Sequence, residues 1–536
     1  MSRDIKTELT RYEWAIDGDT AAAGTAFRGD QQLSTAQLVH ELRGIDAWEQ
    51  FVSFVGDLTG HFALITPLNE GVGAAVDQFR TLPLFYDTDG AIRDSPDVVN
   101  EPKIDREEVA EFLLCQYVTG SDTLTPSVSQ IQAGEAVLLT GTGSVVDRET
   151  HCEYAPSSTG RDKSETVERL DSALGNAIGR LVDYANGRQI AIPLSGGVDS
   201  RLIALHLKRA GYNNIFTFTY GQPGESEVET ARQVADDIGL EWEHVEYTPG
   251  KWSQWYDSDE RRDYFEFAGV SDALPPVGSW PALKVLKESG RIGDDAIIVP
   301  GQTVASVSEH VPARWATDRA ASKGELVDHI FDEHYTLFRC TSETEARMKA
   351  RIASQLPDEI TTTADLRREF ASWEFKERQG KFMAKAGMLY ADWGYDFWFP
   401  LVDREFITTW GGVSPTHRFD KQILRDYTDA LYPVVTGADA PSGDEGAGLE
   451  SVVMDGLRRV ASSPLGDYLL PIYKRRQGVG SHPLGYNGIL NADQYEELNT
   501  GYESHHSFRS AEAIGLLSFR PPDSSRLPDN NRIAIE

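Results

Sequence analysis

Cysteine is scarce in this chain: three in 536 residues (Cys115, Cys152, Cys340), widely spaced, with no CxxC pair and no nearby histidine ladder. That excludes a disulfide-stapled scaffold and a cysteine-built zinc site, and leaves isolated reduced thiols. Lysine is also sparse, 14 of the 51 basic residues, against 84 aspartates and glutamates, for a net charge of −33. A surface of that sign repels phosphate backbones and anionic membranes, so neither nucleic acid nor a membrane is expected as a partner. An acidic surface with few lysines is the pattern of halophilic proteins, and a halophilic host is expected. No apolar run approaches the roughly 20 residues needed to span a bilayer. The opening stretch MSRDIKTELTRYEW is charged where a signal peptide would be apolar, so the expected location is cytoplasmic. What is present suits packed cores: 40% apolar and 10% aromatic residues, in a chain long enough for about two to four domains.

From Trp14 to Tyr154 short β-like runs alternate with turn residues: GHFALIT (60–66), VGAAVDQF (72–79), PLFYD (83–87) and EAVLLT (135–140). The polar stretch APSSTGRD reads as a linker, giving a β-rich domain over 1–155 and a second domain over 160–435. Ser164 is the expected N-cap of an amphipathic helix carrying Val167, Leu170, Leu174, Ala177, Ile178 and Leu181, stopped near Gly187. Then come a buried-strand run, QIAIPL (189–194), the turn SGGVDS, a helical segment (201–211) and a second strand, NIFTFTY (214–220). A further helix (226–240) and strand (243–247) follow. Strand, glycine turn, helix, strand is a βαβ unit, so the predicted class is α/β with a doubly wound parallel sheet and helical additions up to about Pro433. The last stretch, 436–536, reads as linker and extension.

The sharpest chemistry lies in Ser195-Gly196-Gly197-Val198-Asp199-Ser200. Glycines let the backbone turn its N–H groups inward, the serines add donors, and a helix N-terminus adds partial positive charge. That is a phosphate cradle. Asp199 fits beside phosphates when it helps hold a divalent cation, and magnesium on a polyphosphate removes the repulsion. Five specified positions recur by chance on the order of once in a thousand chains of this length.

This segment resembles the PP-loop, SGGxDS, of the N-type ATP pyrophosphatases, which cleave ATP between the α and β phosphates and leave AMP. Asparagine synthetases, β-lactam synthetases, argininosuccinate synthetases, GMP synthetases and tRNA-modifying ligases share it. Two more stretches narrow the choice. DKQILRDYTDALYP (420–433) is similar to the K-x-x-L-R segment of asparagine synthase-like enzymes, and GYDFWFPLVD (394–403) to their G-x-E-x-R-x-P-F-L-D segment. In the front domain GHFALI, VDQFRTLPLFY and AIRDS resemble the G-x-F-A, R-D-x-x-G-x-x-P-L-Y-Y and F-A-S-E elements of a class II glutamine amidotransferase domain. The resemblance, to the asparagine synthase-like family, covers about residues 14–433 and implies an Ntn-hydrolase-like α+β front domain.

The resemblance implies ATP and Mg2+ as cofactors, a small-molecule carboxylate and ammonia or an amine as partners, and leaves room for a homo-oligomer. It puts Ser195, Gly196, Gly197, Asp199 and Ser200 on the phosphates, with Asp199 on the metal. Leu194 and Tyr220, at the ends of adjacent strands, would read adenine with their backbone. Gly301 would touch the nucleotide, Lys421 would stabilise charge at the α-phosphate, and Asp396, in the place of a family glutamate, would orient the amine.

Three departures are expected to matter. Ser2 stands where an intact glutaminase begins with cysteine, so that domain is read as degenerate. In AIIVPGQTVASVSEH (296–310), aligned with the family's S-G-E-G-S-D-E segment, the second metal-binding aspartate is Ala305, with Glu309 a candidate to compensate. Trp398 stands at the family arginine and suggests a changed substrate pocket. Lys376, Arg378 and Lys381 read as a solvated helix face, with anion binding the alternative. The favoured activity is AMP-forming ligation of a carboxylate to nitrogen. A silent nucleotide-binding scaffold, amidation of a sugar uronate and peptide cyclisation stay open as alternatives, whereas a tRNA-modifying ligase conflicts with the charge of −33 and the amidotransferase-like front domain.

Overall fold

The computed structural model describes residues 6–95, 106–157, 160, 162–441, 484–490, 504–515 and 532–533. The front half comprises β1 (Lys6–Glu8), β2 (Trp14–Asp17), β3 (Thr20–Arg28), β4 (Gln31–Leu33), α1 (Thr35–Leu42), α2 (Trp48–Gly56), β5 (Leu58–Pro67), β6 (Val72–Val76), β7 (Phe85–Asp87), β8 (Ala91–Arg93), α3 (Glu107–Cys115), β9 (Val128–Gln130), β10 (Glu135–Leu139) and β11 (Val145–Thr150). Its large sheet runs β11-β10-β6-β5-β3-β2, with β4 on β3, and the paired strands are antiparallel. A smaller sheet, β1-β8-β7-β9, lies over it.

Strand alternation divides this half into two cores, because successive side chains leave opposite faces of a sheet. Ala22, Phe62, Leu64, Ala75 and Leu138 face α1 and α2, packing with Leu38, Leu42, Phe51 and Val55. Their neighbours Ala21, Ala23, Ala63, Ile65, Ala74, Val137 and Leu139 face the small sheet and meet Leu84, Tyr86, Ile92 and Ile131. A one-residue slip would exchange the two sets, so both cores fix the register. Ser34 caps α1 in a reciprocal box with Gln37.

The second half starts with α4 (Lys163–Ala185), whose cap is Asp162 rather than Ser164: the Asp162 carboxylate accepts from Ser164 N at 3.0 Å. It continues through β12 (Ile190–Pro193), α5 (Val198–Arg209), β13 (Ile215–Gly221), α6 (Ser226–Ile238), β14 (Glu241–Glu246), α7 (Pro249–Tyr256), α8 (Asp259–Ala268), α9 (Trp280–Glu288) and β15 (Ile297–Ile298). Helices α10 (Lys323–His334), α11 (Ser342–Ser354), α12 (Thr363–Glu374), α13 (Ala386–Asp392), α14 (Arg404–Gly411), α15 (Pro415–Arg418) and α16 (Gln422–Thr436) follow. The sheet order is β14-β13-β12-β15 and then the short strand Asp396–Phe397, all parallel. The chain builds outward from β12 first on one side and then on the other, so a topological switch point falls between β12 and β15, where ligands bind in open α/β sheets.

The halves share a large aromatic contact. His61 lies 4.4 Å from Trp398, Phe79 packs on Phe375 and Phe399, and Tyr154 on Phe375. Arg404 donates to Gly56 O and His151 O, and buried Arg80 pairs with Asp272 at 3.0 Å. Residues 375–383 form a π-helical run in which Lys381 is buried, donating to Val118 O, Gly120 O and Glu377. The solvated-face expectation is thus corrected for Lys381: its ammonium joins the two halves. The described tail segments 484–490 and 504–515 join the main core through Ile489, Phe508 and Ala511. Among the described residues no helix is long and apolar enough to cross a membrane.

Candidate active site

β12 ends at Pro193, and Leu194 stays tied to its neighbour: its N–H donates to Phe218 O at 2.8 Å and its carbonyl accepts from Thr219 Oγ1 at 2.7 Å. The chain then turns through Ser195-Gly196-Gly197 into α5. Gly197 is the cap residue and offers no side chain, so the first-turn N–H groups of Val198, Asp199 and Ser200 have no cap acceptor. Ser200 Oγ accepts from Ser195 N and lies 3.1 Å from Ser195 Oγ, while Ser195 Oγ accepts from Gly197 N at 3.2 Å. These bonds hold the loop open without using the helix N-terminus. A side chain at Gly196 would come within 3.2 Å of Thr230, because α6 packs directly on the turn.

Gly301 closes the other side. A Cβ there would lie 3.0 Å from Ser200 N and 3.4 Å from Asp199 Cβ, so the chain leaving β15 crosses the first turn of α5 at backbone contact. Beside this crossing Lys421 Nζ stands 2.8 Å from Asp199 Oδ2 and 3.1 Å from Glu309 Oε2. Lys421 is 6% exposed. Burial opposes its charge, but the two carboxylates outweigh that and hold the ammonium above the ordinary lysine value. The backbone at Asp420 and Lys421 is left-handed (φ 49° and 53°), a conformation costly for residues with a Cβ. From α16, Arg425 donates to Asp420 O at 3.0 Å across that bend.

Glu309 ends the 3-10 helix Val304–Glu309, one turn beyond Ala305, which is fully buried. The remaining buried oxygen of Asp199, Oδ1, has no hydrogen-bond partner among the described residues. One or two carboxylates plus substrate phosphates are the usual protein share of a magnesium site, and Asp199 with Glu309 meets that description. Arg201 was missed by sequence reading. Its guanidinium donates to Gly196 O at 2.7 Å from the first turns of α5 and so braces the loop. An arginine directly after the motif, on the loop-facing turn, was the available signal.

Tyr220 lies at the end of β13, stacked on Tyr247 at 5.4 Å. With Leu194, Ser195, Gly221, Glu227 and Leu484 it lines a cavity of about 340 Å³ at the carboxyl edge of the sheet, within the usual range for small-molecule sites. Leu484 brings the tail into this cavity, a contact the sequence did not suggest.

Two expected residues are not brought here. Asp396 pairs in register with Ile297, and Ile297 with Ile190, the first residue of β12. That places it at the opposite edge of the sheet, on the order of 15 Å from the turn at about 3.3 Å per residue. There it is half exposed and bonded to Arg188 at 2.5 Å. Trp398 is 2% exposed and packs between His61 and Tyr184, 4.4 and 4.7 Å away. Its change from the family arginine belongs to the contact between halves, not to a substrate pocket at the cradle. Ser2 lies outside the described residues.

The Asparagine synthase family model matches residues 169–257, which carry most of α4, the cradle and β13 to β14. Asparagine synthetase [glutamine-hydrolyzing] 1 of Bacillus subtilis (strain 168) is 28% identical over 199 residues, 34% of this chain and 30% of that protein. A probable asparagine synthetase [glutamine-hydrolyzing] of Acanthamoeba polyphaga mimivirus is 28% identical over 205 residues, 36% of each. The chain therefore spans about a third of the length of the curated relatives it matches. Among solved structures, an NH3-dependent NAD synthetase from Campylobacter jejuni in complex with the nitrate ion covers 28% of this chain and 60% of its own at 16% identity, with a TM-score of 0.19. Together the sequence matches link the chain at family level to the PP-loop ATP pyrophosphatases and asparagine-synthetase-like ligases.

Proposed function

We propose that the protein activates a small-molecule carboxylate with ATP and joins it to ammonia or a substrate amine, releasing AMP and pyrophosphate. The observation that carries the reading is the convergence of Asp199, Gly301, Glu309 and Lys421 on one glycine turn at the sheet's switch point. In this scheme a carboxylate oxygen attacks the α-phosphorus and the bond to the β-phosphate bridge breaks. The amine then attacks the acyl carbon, the carbon–oxygen bond to AMP breaks, and the nitrogen loses a proton. The open N–H groups of Val198, Asp199 and Ser200 hold the departing pyrophosphate, and Lys421 balances negative charge gathering at the α-phosphate, an effect of roughly 3 kcal/mol in such sites. Asp199 and Glu309 would hold magnesium, which when bound offsets the charge of the triphosphate. The cavity beside Leu194 and Tyr220 suits the nucleoside.

The nitrogen is proposed to come from solution or from the substrate rather than from glutamine. In the segment resembling R-D-x-x-G, Val76 stands for the arginine and Arg80 for the glycine. Arg80 takes a left-handed φ of 58°, and the space between the two front sheets is filled by apolar side chains.

The test is product analysis with ATP, magnesium, ammonium and a panel of acids at high salt. AMP and pyrophosphate are expected; ADP and phosphate would contradict the scheme. A second reading, nucleotide binding without turnover, is favoured by Ala305 at the position of the family aspartate. Measurable ATP binding with neither product across the panel would select it.

A further inference from the structure

A second cavity, of about 240 Å³, lies behind the 3-10 helix Val304–Glu309, enclosed by that helix, α12 and the α15 segment. Its apolar wall is built from Val307, Val311, Ala371, Pro415 and Phe419. Polar groups on the lining come from Tyr154, Ser308, Arg367 and Arg418. Ala316, Thr416 and Phe419 are exposed and form its mouth.

Arg418 is the unusual member. It is 6% exposed, and among the described residues no carboxylate lies within salt-bridge distance of it. Among the described residues its guanidinium donates only to backbone carbonyls: Val413 O at 2.7 Å, Gly411 O at 3.3 Å and Ser157 O at 3.3 Å. Carbonyl dipoles solvate a cation but do not neutralise it, and burying a charge without a counter-ion is costly. Burial, opposed by Tyr154 and reinforced by nearby Arg367, lowers the Arg418 pKa from the arginine range. Arg367 adds a second guanidinium, bonded to Trp315 O and to exposed Asp318, with its buried Nε unpartnered among the described residues. Tyr154 is 2% exposed, and its hydroxyl lies near Ser308 and the indole nitrogen of Trp410 without a well-formed hydrogen bond to a described residue. The cavity thus combines two cations, a spare phenol and an apolar wall.

We propose that this cavity binds an organic monocarboxylate with an apolar body, its carboxylate on Arg418 and Tyr154 and its body against Val307, Val311, Ala371 and Phe419. A planar carboxylate matches the guanidinium fork, and a strongly hydrated inorganic anion would leave the apolar wall unused. Its lining shares no residue with Ser195–Ser200, Gly301, Glu309 or Lys421, and the proposal does not depend on the ligase reading.

The test is isothermal titration of the full chain with 3-phenylpropionate and hexanoate, using the matching amides as neutral controls. The acids are expected to bind and the amides to bind at least ten-fold more weakly. Arg418→Gln should weaken the acids ten-fold or more. Should that variant fail to fold, Ala371→Leu, which fills the cavity and leaves both arginines in place, should abolish binding while nucleotide binding stays intact. Equal binding of acid and amide, undiminished binding by either variant, or no binding of either acid would overturn the proposal. If the acids also support AMP formation the ligand is an acceptor, and if they do not it is an effector; the cavity is a carboxylate site in both cases.

Discussion

Lys421 and Asp199 form an ion pair whose partners lie 222 positions apart. In the proposed scheme removing the ammonium would take away charge balance at the α-phosphate, and removing the carboxylate would take away a metal ligand and leave Lys421 to Glu309. Lys421→Ala is expected to lower AMP formation about 100-fold or more without shifting the melting temperature greatly, by kinetics and calorimetry on one preparation. Glu309→Gln separates the roles: it should raise the magnesium concentration needed for half-maximal nucleotide binding, read by titration without turnover. An unchanged requirement would remove Glu309 from the metal site. The K-x-x-L-R context made Lys421 legible in the sequence, and SGGVDS did the same for Asp199. Glu309 was visible only as a nearby carboxylate, because its reach depends on how tightly a 3-10 helix winds. Asp396 shows the converse, since a motif match fixes position along the chain but not the edge of the sheet on which a side chain ends.

Elements with a regular period were the most readable. The runs 60–66, 135–140, 189–194 and 214–220 all become strands within a residue or two, and the helix after the linker runs Lys163–Ala185. Caps were harder. Ser164 and Asp162 are both good caps, and only the backbone trajectory decides that Asp162 accepts from Ser164 N. Asp162→Ala should cost about 1 kcal/mol, seen as a lower urea midpoint, whereas Ser164→Ala should be near neutral. The π-helical run 375–383 was not legible. Its sequence, FKERQGKFM, has the look of a charged surface helix, but the extra residue per turn rotates Lys381 inward to Glu377 and the carbonyls of Val118 and Gly120.

On the scale of the whole molecule, two histidines report on the contact between halves. Burial lowers His61 from 6.5 to about 3, and burial with Arg404 does the same for His151. Between pH 6.5 and about 3 the unfolded chain binds protons at both positions while the native state does not. Their contribution to stability is therefore complete above pH 6.5 and is lost as the pH falls towards 3. Urea midpoints should fall steadily from pH 7 to pH 4, and His61→Phe should reduce that slope by about one proton. The net charge of −33 adds self-repulsion that salt screens, so melting temperature is expected to rise with KCl; a flat response would remove the case for a halophilic host. None of the interface was legible beforehand, because Trp398, His61 and Phe79 meet only after both sheets have formed.

In the proposed reading the turn Ser195–Ser200 holds the β and γ phosphates of ATP beside Asp199 and Lys421. A crystal of the protein with magnesium and α,β-methylene-ATP tests it most directly. Those two phosphates should lie within hydrogen-bond distance of the N–H groups of Val198, Asp199 and Ser200, with adenine beside Leu194 and Tyr220. Nucleotide bound elsewhere, with Lys421 still closing the turn, would rule out this phosphate site.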